Sequence, residues 1–123
     1  MTYLARPKIE LPGQKTNAIG LTLRDYEGAL STLCAGCGHD SITAALVQAL
    51  WEMSLRPEML IKLSGIGCSS RLPVYVDFNT LHTTHGRSIA FATGVKAAKP
   101  ILNVIVITGD GDCLAIGGNH FIH

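Results

Sequence analysis

Three things are missing from this 123-residue chain: a long apolar run, a charge of one sign and an export signal. No apolar stretch approaches the roughly 20 residues a membrane-spanning helix needs, so no membrane association is expected. Ten Lys and Arg against nine Asp and Glu leave a formal charge of +1, and the basic residues are scattered, which argues against nucleic acid as a partner. The segment Met1–Gly13 mixes Arg6, Lys8 and Glu10 with Pro7 and Pro12 and lacks the apolar stretch of a secretory leader. A cytoplasmic protein is expected, whose four cysteines are thiolate ligands or core residues rather than disulfides. No internal repeat or low-complexity tract is present.

The length suits one domain with a real core. Residues 1–30 hold two prolines and few periodic apolar positions, and read as an extended N-terminal arm without a core of its own. Residues 31–123 carry the domain. Ile42, Leu46, Ala49, Leu50 and Met53 recur at helical spacing over Asp40–Met53, with Asp40 or Ser41 placed to cap the first turn. Met59–Leu63 reads as a short buried strand running into Ser64-Gly65-Ile66-Gly67-Cys68. Arg71–His85 is irregular and reads as loop. Gly86–Ala98 returns to helical character and is stopped by Pro100. Leu102–Thr108 is a nearly continuous β-branched run, as expected of a central strand buried on both faces. The order helix–strand–helix–strand implies an α/β fold with a parallel sheet and right-handed crossovers.

In such sheets ligands gather at the carboxyl ends of strands, and both glycine-rich segments lie there. After Thr108, Gly109 and Gly111 let the backbone approach an anion closely, while Asp110 offers a carboxylate to a hard cation such as Mg²⁺. A lone Gly-Asp-Gly is as readily an ordinary turn. Here it follows a buried strand and precedes a small-residue helix start, Ala115–Asn119, suited to phosphate. Cys34-Ala35-Gly36-Cys37 has the spacing for two thiolates on one metal centre, which fits zinc, a redox dithiol or an iron–sulfur cluster. A redox dithiol normally opens a helix directly after a strand, whereas this pair follows the arm. Cys68 is placed to be a third ligand, one short of four; Cys113 reads as a small packing residue. His85-Gly86-Arg87 at a helix entry makes an anion site. His82 nearby has no role beyond core or surface on this reading. Arg71 fits a substrate carboxylate held bidentately, or equally a solvated cation.

Taken together, CAGCGHDS, SGIGCSSRLP, HTTHGRSIAFATGVK and ITGDGDCLAIGGNHF, in this order from about Leu33 to the end, resemble the β subunit of 2-oxoacid:ferredoxin oxidoreductases. The resemblance implies a parallel-sheet, thiamine-diphosphate-binding α/β fold, truncated before its later strands. It makes Asp110 a Mg²⁺ ligand and puts Gly109, Gly111 and Asp112 at thiamine diphosphate, with Ile66, Gly67, Cys68, Ser69 and His85 lining the same cofactor. Cys34, Cys37 and Cys68 become three of the four ligands of a [4Fe–4S] cluster, the fourth falling beyond His123. Arg71 stands where some members carry lysine near the substrate, and Ala35 where proline is common; Arg71 and His85 are the catalytic candidates.

The implied reaction is oxidative decarboxylation of a 2-oxoacid to an acyl-CoA, with 2-oxoglutarate favoured and pyruvate next. Electrons pass through the cluster to ferredoxin. A partner α subunit supplies the glutamate that activates thiamine, so the chain alone is expected to be inactive. The family's thiamine motif runs roughly twenty-five residues past the Gly-Asp-Gly to a Mg²⁺-binding asparagine, and Asn119 is too close to Asp110 to be that residue. A non-catalytic metal- or cluster-binding module is the alternative. A generic thiamine decarboxylase domain is weaker, because it gives the cysteines no role. An incomplete sheet exposes an apolar edge and face, so poor solubility or dependence on a partner is expected.

Overall fold

The computed structural model describes residues 11–123. The leader-free reading of Met1–Gly13 and the first third of the arm thus lie almost wholly outside the described residues. Helix α1 spans His39–Glu52, strand β1 Leu60–Ser64, strand β2 Asn79–His82, helix α2 Ser88–Ala98, strand β3 Asn103–Ile107 and the short helix α3 Gly118–Ile122. A 3-10 segment, Cys68–Tyr75, follows β1, and a π-helical turn, Gly111–Ile116, precedes α3. The three strands form one parallel sheet in the order β2-β1-β3. None of the described helices is long and apolar enough to cross a membrane.

Two expectations about the sheet are corrected. β2 falls inside the segment read as loop: Asn79, Leu81 and His82 are exposed, so the strand is held by backbone pairing to β1 and leaves no apolar signature. The central strand is β1, not the β-branched β3. Leu60, Lys62, Leu63 and Ser64 are buried in β1, whereas β3 is the outer strand among the described residues and is only half-buried from Val104 to Ile107.

The arm also contributes core, contrary to the expectation. Tyr26 is completely buried among Val47, Leu50, Trp51, Leu60 and Val76, with Leu21 and Leu23 packed against the cluster. Its hydroxyl donates to Leu55 O at 2.7 Å, and the Trp51 indole N–H donates to Leu21 O at 2.9 Å, so the polar ends of both rings are satisfied. These bonds turn α1: its buried stripe is Thr43, Val47, Leu50 and Trp51, while Ile42 and Met53 are exposed. The N-cap is Gly38 rather than Asp40 or Ser41; Asp40 sits in the first turn, where its charge complements the helix dipole, and accepts from the Ser31 hydroxyl.

The other side of α1 is not covered. Leu46, Ala49 and Met53 line an open apolar groove with Ala92 of α2 and Val104 and Val106 of β3. Phe91, Ile101, Leu114, Phe121 and Ile122 are exposed besides, in keeping with the expected apolar edge and face. Within α2, a Cβ added at Gly94 would meet nothing within 4 Å. Gly94→Ala is therefore expected to stabilise the chain by about 0.5–1 kcal/mol in urea titration, because glycine in a helix interior carries that cost against alanine.

Candidate functional site

The register sets the carboxyl ends of the strands level: Ser64 pairs with His82 on one side and with Ile107 on the other. Three loops, 65–69, 83–87 and 108–112, leave from this one edge. The sequence pointed to two of them; the unread strand β2 delivers the third. Thr83 Oγ1 donates to Ser64 O at 2.9 Å, and His82 Nδ1 lies 3.3 Å from Ser64 Oγ, which locks the second loop to the first. His82 thus has a structural contact that residue type alone did not disclose.

Asp112 is the hub. Its side chain is buried; one oxygen lies against His85 Nδ1 and accepts from Gly86 N–H (2.7 Å), and the other accepts from the Thr108 hydroxyl. Burial pushes the carboxyl up, but hydrogen bonds from Thr108, Gly86, His85 and Ile66 outweigh it and hold the group below the usual carboxylate range. The anion at the His85-Gly86 turn is therefore the chain's own Asp112, not a ligand. Arg87 points elsewhere, with Nη1 2.5 Å from His120 Nε2, and the expected three-residue anion site is not assembled.

Around this hub the remaining candidates face outward. Asp110 is exposed, and Cβ atoms built on Gly109 and Gly111 would meet nothing within 4 Å, so there is open space beside the backbone of the Gly-Asp-Gly turn. Ile66, Gly67 and Cys68 are exposed; Ser69 is buried, its hydroxyl donating to Ile66 O at 3.3 Å and shaping the loop from beneath. Gly65, which opens the glycine-rich segment read at the end of the first strand, touches the hub itself; that contact and the role of Thr108 were not identified from the sequence. The signal for Gly65 is only that a small residue follows a buried strand.

Cys34 and Cys68 are exposed and Cys37 is half-buried, all as free thiols. Cys68 lies within hydrogen-bonding reach of Cys37, which, with the charge of Cys37 and then burial and Cys34, raises its thiol pKa. Cys37 Sγ is 3.2 Å from His39 Nδ1. Among the described residues no three ligating side chains are gathered closely enough for a single metal ion. What brings the Cys34–Cys37 loop to Cys68 is a clasp: Arg71 donates to Thr32 Oγ1 at 2.9 Å, and Thr32 bonds the Tyr75 hydroxyl through both its N–H (3.1 Å) and its side chain (3.0 Å). The Thr32 bonds pull the Tyr75 phenol down to about 8. Arg71 is exposed, so this bond occupies only part of its guanidinium. Cys113 is half-buried in the π-helical turn.

The family model described as thiamine pyrophosphate enzyme, C-terminal TPP binding domain, matches residues 65–123. The chain is 57% identical over 90 residues to the 2-oxoglutarate synthase subunit KorB of Methanocaldococcus jannaschii, covering 73% of this chain and 33% of that protein. It is 52% identical over 92 residues to subunit beta of 2-oxoacid:ferredoxin oxidoreductase 1 of Aeropyrum pernix, covering 75% and 29%. A solved 2-oxoglutarate:ferredoxin oxidoreductase from Magnetococcus marinus, with 2-oxoglutarate, coenzyme A and succinyl-CoA bound, superposes with a TM-score of 0.77 at 44% identity, over 81% of this chain and 35% of that one. The chain spans a third or less of the length of these curated relatives. By sequence over three quarters of its residues, and by fold, this chain belongs to the 2-oxoacid:ferredoxin oxidoreductase β subunits.

Proposed function

We propose that this chain forms the part of a 2-oxoacid:ferredoxin oxidoreductase β subunit that holds Mg²⁺–thiamine diphosphate, in an enzyme acting on 2-oxoglutarate in preference to pyruvate. The observation that carries the reading is the level edge: three strand ends bring an exposed carboxylate, open glycine backbone and a half-exposed histidine to the one edge where a parallel sheet opens its ligand crevice. Asp110 would bind Mg²⁺, with Gly109 and Gly111 beside the diphosphate. Ile66, Gly67, Cys68, Ser69 and His85 would line the thiamine, and Asp112 would support it from below. Bound thiamine diphosphate supplies the carbanion that opens 2-oxoacids to decarboxylation. The chain's own share is to neutralise the diphosphate, orient the rings and exclude water. Arg71 would hold the substrate carboxylate with the donors its Thr32 bond leaves over.

Cys34, Cys37 and Cys68 would provide three ligands of a [4Fe–4S] cluster. The neighbouring Cys37, with burial and then Cys34, already raises the Cys68 thiol, a cost that iron would relieve by binding the thiolates. An α subunit, ferredoxin and coenzyme A complete the system, in the cytoplasm. Calorimetric titration with thiamine diphosphate tests the reading: binding is expected with Mg²⁺ and not with chelator, and Asp110→Ala should weaken it by at least tenfold. Binding indifferent to Mg²⁺ and to Asp110 would sink it. Iron taken up on the three cysteines with no thiamine diphosphate bound would favour the non-catalytic metal-binding module.

A further inference from the structure

We infer that Asp112 is a positioning residue for His85, fixing the imidazole as the Nδ1–H tautomer so that Nε2 faces the crevice as a proton acceptor. The inference rests on the crevice being the cofactor site proposed above. Asp112 is buried and reaches no solvent ligand; every contact it makes is internal. The Gly86 N–H and the Thr108 hydroxyl both donate to it, which pins the carboxylate from two sides before His85 is considered. A carboxylate so held accepts only, and therefore requires the proton on His85 Nδ1. The His85 side chain is 45% exposed while Asp112 is 1% exposed, so with Nδ1 against the buried carboxylate the exposed part of the ring is left to its Nε2 side. Histidine oriented by a buried carboxylate, with its far nitrogen presented to a reacting group, is the arrangement general base chemistry needs.

Long-range ¹H–¹⁵N correlation spectra of the full chain with ¹⁵N-labelled histidine, taken where His85 is neutral, read the tautomer directly. Wild type should show His85 as the Nδ1–H form, and Asp112→Ala should return it to the Nε2–H form that free imidazole prefers. Asp112→Asn should keep Nδ1–H, because Oδ1 can still accept from His85 and Gly86 while Nδ2 donates to Thr108. An Nε2–H tautomer in the wild type overturns the inference without any variant having to fold. A folded Asp112→Ala variant that keeps Nδ1–H overturns it as well. Thiamine diphosphate with Mg²⁺ should then move the His85 Nε2 resonance. If the tautomer is Nδ1–H and nothing moves on adding the cofactor, positioning stands and the thiamine reading fails.

Discussion

Replacing Lys62 by methionine is expected to raise the stability of the chain by about 2 kcal/mol, and its melting temperature by roughly 5–10 °C. Lys62 lies in the central strand with no exposed surface, and its Nζ has no hydrogen-bond partner among the described residues. Burial alone lowers its pKa from 10.5 to about 8. At neutral pH the amine is still protonated, so the fold carries a desolvated cation whose hydration nothing replaces. Methionine preserves the unbranched shape and removes the charge. The same physics sets a pH signature. Between about 8 and 10.5 the unfolded chain binds more protons at this residue than the native chain does, so stability climbs with pH through that window. Below about 8 both states are protonated and the penalty is full and constant. Urea titrations at several pH values should show this climb in wild type and not in Lys62→Met; identical slopes would mean that Nζ is satisfied in solution.

Gly65→Ala should cost about 3 kcal/mol, at the upper end for overpacking, and should damage the crevice as well as the fold. A Cβ at this position lands on the Asp112 carboxylate and the Thr108 hydroxyl and lies 2.9 Å from Asp112 Cγ, so the intruded groups are the hub itself. Asp112 is bonded on both oxygens and cannot swing aside without leaving Gly86 N–H or Thr108 unpaired. Gly65 N also donates to Ile107 O at 3.0 Å, which ties the backbone to β3 and denies it room to retreat. Urea unfolding of the variant beside Gly94→Ala separates the two kinds of glycine. A Gly65→Ala chain as stable as wild type would show that the loop at the end of β1 yields easily and that the hub is not close-packed.

The pattern of residues determined a good deal unaided. Helical spacing located α1 and α2 to within about two residues, and the β-branched run located β3, because those signals come from side-chain burial along one element. The motifs placed Cys68 and the Gly-Asp-Gly at the carboxyl ends of parallel strands, since turns there are set by residue type and short spacing. β2 escaped because backbone pairing holds it, and the rank of β1 as central strand escaped because Lys62 breaks its apolar character. The arm looked coreless since Tyr26 is a single ring whose burial depends on α1 and β1, far along the chain. Asp112 shows the division most clearly. Beside Asp110 it reads as a second ligand-facing carboxylate, and only the meeting of residues 65, 85, 86 and 108, from three loops, turns it inward. Local spacing decides which element a residue belongs to, but which way a carboxylate faces depends on partners that only the folded sheet brings within hydrogen-bonding distance.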